Sequence, residues 1–310
     1  MRRLRGAVVL IVVALAARSL RGAQPLTAGA QREYVRSAAR SLAPVARKHH
    51  LVVAYGLQVA PPQTTLGAMG EDEIGGLLPF DRAFATTHTT VEVDAKDPAF
   101  RNPATFTGPV FAKDDADRVA AEKGWTFRPH GDRWRRVVAS PEPKRVVELR
   151  AIKGLLERNI VVIAFTGGSL AAVPEPGAAR PLGGIECVID SDLATALLAR
   201  DLNADLLVLL THSDAVYMDW GKPTQRAIRR ATPEALAPMT FAACSMASKI
   251  EAACRFVRST GKQAAIGELS DLGRILNAEA GTTVAADAEG IDLLPRAGSR
   301  RMPAPRGAAM

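Results

Sequence analysis

The chain has 310 residues, 47% hydrophobic and 23% charged, a globular composition with room for one large or two moderate domains. Its net charge of +8 sits at the ends: residues 1–32 carry six arginines and no acid, and residues 296–310 carry four and no acid. Subtracting those ten charges from +8 leaves −2 for residues 33–295, which argues against a basic nucleic-acid-binding surface on the folded body.

The first element admits two readings. Arg2, Arg3 and Arg5 precede an apolar run, Ala7 to Ala17, that imitates a signal peptide or an N-terminal anchor. The run is too short for a membrane-spanning helix, and Val8–Leu15 reads equally as a central β-strand. A helix follows over residues 29–47, capped by Thr27, with Tyr34, Val35, Ala38, Leu42 and Val45 as its apolar stripe. Leu51–Tyr55 is a short buried strand, so the chain opens β-α-β, the signature of a parallel sheet. His49 and His50 are placed at a solvated helix end. Phe84–Val93 alternates threonine with apolar residues and is predicted as one strand.

Residues 97–143 change character. They hold two of the three tryptophans, Trp125 and Trp134, a helix predicted over Lys113–Lys123, and the basic run Arg133-Trp134-Arg135-Arg136. This reads as a hairpin-bearing excursion from the main sheet. The basic run is either an anion contact or a solvated strand face, with the solvated face favoured. A helix over residues 148–158 leads to Ile160–Phe165, a β-branched run typical of a strand buried on both faces. That strand enters Thr166-Gly167-Gly168-Ser169. Glycines there let backbone N–H groups approach an anion, or serve only to turn the chain.

The second half alternates regularly: helices over 191–202, 232–236, 248–260 and 269–276, and strands over 204–210, 263–266 and 282–284. The 282–284 strand is taken as the last. Cys187, Cys244 and Cys254 form no CxxC pair, which suits buried thiols in a reducing compartment. No metal-ligand spacing is present.

The order of these pieces resembles the carbamate kinases of the amino-acid kinase family. The segments that carry it are 12–20, 51–56, 77–103, 131–157, 183–225 and 241–269, nearly the whole of 8–284. The resemblance implies a three-layer α/β/α sandwich with a mainly parallel central sheet and a small protruding subdomain at about 97–143. It implies an N-terminal lobe over 1–158 on the carbamate side and a nucleotide-binding lobe over 159–284, with 285–310 as a disordered tail. It also places Val8–Leu15 as the first strand rather than a signal peptide. The implied reaction is reversible phosphoryl transfer between ATP and carbamate, with Mg²⁺, in arginine breakdown. The implied setting is a cytoplasmic homodimer with neither nucleic acid nor membrane as partner.

The same resemblance supplies the candidate residues. Gly167, Gly168, Asp214, Tyr217, Met246 and Lys249 match the family's nucleotide and phosphoryl positions, although Asp214 has a turn-capping reading beside the functional one. Elsewhere the pattern departs. Ala16-Ala17-Arg18 stands where the family has Gly-Gly-Asn, and Thr105 and Ser191 stand where it has two lysines that contact substrate or transferred phosphate. The second loop, at Tyr55–Ala60, is shortened, and about twenty residues are missing after it. Of the three lysines only Lys249 is kept. Each lost oxyanion-type contact costs roughly 10²–10³ in rate, so weak or lost activity is expected. The alternative is a noncatalytic nucleotide-binding or subunit-interaction protein.

Overall fold

A computed structural model describes residues 8–16, 40–42, 45, 50–58, 83–165, 170–175, 182–241 and 246–294. The strands, in chain order, are β1 (Val8–Ala16), β2 (His50–Gln58), β3 (Phe84–Thr86), β4 (Thr90–Val93), β5 (Thr105–Phe111), β6 (Thr126–His130), β7 (Arg133–Val138), β8 (Pro143–Val146), β9 (Val161–Ala164), β10 (Leu170–Pro174), β11 (Leu182–Gly184), β12 (Leu206–Thr211), β13 (Val216–Met218), β14 (Arg226–Ala231), β15 (Gln263–Glu268), β16 (Thr282–Val284) and β17 (Ile291–Leu293). The helices are α1 (Pro98–Arg101), α2 (Lys113–Lys123), α3 (Leu149–Glu157), α4 (Ser191–Asp201), α5 (Pro233–Leu236), α6 (Met246–Thr260) and α7 (Leu272–Leu276).

Ten strands form the main sheet in the order β13-β14-β16-β15-β12-β1-β2-β9-β3, with β17 on the outer side of β14. From β15 to β3 every neighbouring pair is parallel. The expected first strand is therefore a central one: β1 lies between β12 and β2, with Val9 opposite Leu206 and Leu51. A parallel strand in that position is covered on both faces, and the burial follows. On β9, Val162 and Ala164 join one apolar cluster while Val161 and Ile163 join the other. On β12, Leu207 and Leu209 face the first cluster and Val208 and Leu210 the second. Helices α3, α4 and α6 fill the first side; α7 and helical residues Leu42 and Val45 fill the second. This is the three-layer α/β/α arrangement. Full burial of each such aliphatic side chain contributes about 1.5–3 kcal/mol.

Three elements differ from the sequence expectation. Phe84–Val93 is two strands in two sheets: β3 edges the main sheet, and β4 pairs β10 and β8 in a four-stranded sheet. Buried Thr89 forces the break. Its Oγ1 accepts the Phe165 N–H at 3.1 Å, so the chain turns there to serve another strand. The excursion carries the expected hairpin, β6 and β7 joined through Gly131 and Asp132, and β5 extends it to a three-stranded antiparallel sheet, with α2 at its expected bounds. His50 opens β2 instead of ending a helix. Thr282–Val284 is not the last strand, because β17 follows and pairs with β14.

Candidate active site

Helix α4 runs into β12 through a four-residue connection, and α6 runs into β15 through Gly261 and Lys262. Each helix therefore starts at the sheet end where its following strand finishes. The starts of α4 and α6, the ends of β1, β2, β9 and β12, and the loop after Thr211 all lie at that edge, where open α/β sheets take their ligands.

The two helix starts are joined through their side chains. Asp190 caps α4, its Oδ1 accepting from the N–H groups of Asp192 and Leu193 at 2.9 and 3.0 Å. Its Oδ2 accepts a 2.5 Å hydrogen bond from Ser248 Oγ, in the first turn of α6. One residue further along α6 and two further along α4, Lys249 Nζ bridges both carboxylate oxygens of Asp192, at 2.8 and 3.0 Å. The pair is sealed, with side-chain exposures of 2% for Lys249 and 8% for Asp192. Burial pushes the Asp192 carboxyl above the usual carboxylate range, and the Lys249 charge and hydrogen bonds oppose that shift.

The other predicted residues are spread over several elements. Ser191 is the first residue of α4, between the two acids, and its carbonyl accepts from Thr195 Oγ1 at 2.6 Å. Met246 begins α6 and packs on the core. Asp214 lies in the turn after β12, accepting from the Tyr217 hydroxyl at 2.8 and 3.1 Å. Burial, then Asp214, pushes the Tyr217 phenol up to about 12. Tyr217 also meets Trp220 edge-on at 5.2 Å, and Trp220 is 57% exposed. Thr105 begins β5 in the small sheet, opposite Val138. Ala16 ends β1, opposite Gln58. Ala17, Arg18, Gly167 and Gly168 lie outside the described residues. Phe165, just before the glycine turn, is buried and left-handed at φ +59°, a strained conformation for a bulky residue.

Sequence reasoning missed Asp190, Asp192 and Ser248. The available signal was Asp-Ser-Asp at a helix start, a capping pattern. What it lacked was the pairing across 57 residues with Lys249. Of the cysteines expected to be buried, Cys254 is buried and Cys187 half-buried, and burial pushes both thiols up to about 11. Among the described residues no three His, Cys, Asp or Glu side chains group as metal ligands, and no helix is long and apolar enough to cross a membrane.

Comparison with known proteins fits this geometry. The amino acid kinase family profile matches residues 113–268. The carbamate kinase of Rhizobium meliloti (strain 1021) is 43% identical over 301 residues, covering 89% of this chain and 93% of that protein. The carbamate kinase of Haemophilus influenzae is 42% identical over 306 residues, covering 91% and 98%. Among solved structures, the Giardia lamblia carbamate kinase bound to AMP-PNP matches with a TM-score of 0.79 at 30% identity, over 91% of this chain and 99% of that one. The chain belongs to the amino acid kinase family, among its carbamate kinases. It is a carbamate kinase-like protein from end to end of the described fold.

Proposed function

We propose that the chain transfers a phosphoryl group reversibly between ATP and carbamate, through ADP and carbamoyl phosphate, and that its turnover is low. The observation that carries the second clause is the charge at the helix starts. Asp190 and Asp192 bring two negative charges and Lys249 one positive charge, with Ser191 uncharged between them. Phosphoryl transfer asks the protein chiefly to position reactants and to stabilise spreading negative charge. Here Lys249 is committed to Asp192, and neither Ser191 nor Thr105 supplies a cation. The Asp192 and Leu193 N–H groups at the start of α4 are taken by the Asp190 cap and so add little for a transferred phosphoryl.

In this reading Asp214, Tyr217 and exposed Trp220 border the nucleotide, with Gly167 and Gly168 on its phosphates. The AMP-PNP bound by the Giardia lamblia relative supports a nucleotide as ligand. Mg²⁺ would arrive with the nucleotide, held mostly by phosphate oxygens and water, as that cation prefers. Residues up to 158 serve the acceptor and 159–284 the nucleotide. A cytoplasmic homodimer in arginine breakdown follows from the same family reading.

The test is ATP formation from ADP and carbamoyl phosphate by the parent, Ser191→Lys, Thr105→Lys and the double variant. Restored lysines should raise the rate by about 10²–10³ each at most. Parent turnover near a median enzyme's ~10 s⁻¹ overturns the low-turnover clause. No ATP from any variant overturns the phosphotransfer reading. The burial of Lys249 favours one second reading, a noncatalytic nucleotide-binding or subunit-interaction protein. It predicts ADP binding without turnover in every variant.

A further inference from the structure

A second group of cations lies in the small sheet, away from Lys249. Trp125, between α2 and β6, takes two of them on its ring: the Arg136 guanidinium at 3.9 Å from the centroid and Lys123 Nζ at 4.7 Å. Stacking fixes the guanidinium plane without using an N–H donor. Arg136 Nη2 donates to Glu186, whose side chain is 75% exposed, while Arg136 is 18% exposed. Arg136 Nε is shielded from solvent and donates to nothing in the structure. Lys123 has no acidic partner among the described residues. Two positive charges thus share one indole, with a single exposed carboxylate to answer them.

The register shows what surrounds the pair. Thr107 lies opposite Arg136 and Thr105 opposite Val138, and directly opposed residues share a face. Arg136 therefore sits on the same face as Thr105 and Thr107. Glu186 belongs to the segment running from β11 to α4. That segment is bonded to the end of the small sheet, Val188 N–H donating to the Ala139 carbonyl at 2.9 Å. From Glu186 to the Asp190 cap is four residues, a reach of at most roughly 14 Å. The cations are a short step from the helix starts.

We propose that Arg136 and Lys123, set around Trp125, form a docking site for a small phosphate-bearing dianion, with Glu186 as its internal placeholder. This rests on the phosphotransfer reading and names where the anionic substrate is first held. An exposed ion pair is weak and screened, so the carboxylate is readily displaced. A planar guanidinium donates to two phosphate oxygens side by side, where Glu186 here takes one of its N–H groups. Removing the Glu186 charge should therefore tighten anion binding, and removing the Arg136 charge and fork together should weaken it most.

The experiment titrates inorganic phosphate into the full-length parent, Glu186→Gln, Arg136→Gln and Arg136→Lys by calorimetry, with ADP titrated separately into each. The expected result is binding about 3–10-fold tighter in Glu186→Gln and about 10-fold or more weaker in Arg136→Gln, with Arg136→Lys between them because it lacks the fork. ADP affinity should stay unchanged. Equal phosphate affinity in the parent, Glu186→Gln and Arg136→Gln overturns the proposal, and so does absence of phosphate binding in both parent and Glu186→Gln. Glu186→Gln alters an exposed side chain, so it decides the matter even where Arg136→Gln fails to fold. The expected phosphate pattern with no ADP binding and no turnover would leave the docking site standing and remove the phosphotransfer reading.

Discussion

Replacing Lys249 with methionine keeps the length of the side chain and removes its charge. Asp192, 8% exposed and bonded through both oxygens to Lys249, would then be a buried carboxylate without its cation. Breaking one side of such a pair costs about 3–5 kcal/mol, whereas replacing both sides by apolar groups is often neutral. At about 2–4 °C per kcal/mol for a chain of this size class, the single variant should melt roughly 6–20 °C below the parent. Lys249→Met with Asp192→Leu should recover most of that loss. The pH dependence has a definite sign. The folded Asp192 pKa is raised above its unfolded value, so the group supports folding most below the ordinary carboxylate range. That support is lost as pH climbs from about 4 through the folded value. Removing Lys249 takes away the charge that opposes the rise, so the window of loss extends upward and the variant's deficit grows from pH 5 to pH 8. Urea melts of the parent, both single variants and the double variant at each pH form the cycle. A Lys249→Met cost below about 1 kcal/mol, or a double-variant cost equal to the sum of the singles, would refute the reasoning.

Two further outcomes follow from buried polar contacts. Thr282 Oγ1 accepts the Val216 N–H at 2.8 Å and donates to the Ile228 carbonyl at 2.5 Å, tying β13 and β14 to β16. Thr282→Val leaves both main-chain groups unpaired and should cost about 1–3 kcal/mol per buried group in urea melts; a change within about 0.5 kcal/mol, the usual range for surface substitutions, would contradict it. Tyr217 should remain protonated in an absorbance titration until about pH 12, while Tyr217→Phe lacks that transition. Because its folded pKa is the higher, its contribution to stability fades as pH rises from about 10.

The fold was legible wherever local pattern and burial agree. Strands β9 and β12 are runs of Val, Ile and Leu because both faces are covered, and that pattern survives in the bare sequence. Helix α2 was legible at both ends because Asp114 and Asp115 favour its first turn and Gly124 accepts the left-handed conformation after its last. The break in Phe84–Val93 was not, because its cause is a hydrogen bond between Thr89 and Phe165, 76 residues apart. β17 was missed because Ile291–Leu293 is three residues long and gains its meaning only beside β14.

The site divides along the same line. The family resemblance marked Lys249 as a candidate, but its role depends on what it touches, and its partner Asp192 reads in sequence as a first-turn acid. The contacts from 248 and 249 to 190 and 192 are two adjacent rungs between two helix starts. The first rung holds the α4 cap and the second holds the buried ammonium. An anion approaching between α4 and α6 meets N–H groups whose partial positive charge is answered by Asp190, and a lysine whose full charge is answered by Asp192. Lys249 can turn toward that anion only by uncovering Asp192, at the cost expected for Lys249→Met. A cation at position 191 would remove the conflict, because it adds charge at the same helix start without breaking either rung. On the low-turnover proposal, Ser191→Lys is therefore the substitution expected to raise phosphoryl transfer, and Lys249 can stay in its pair while it does so.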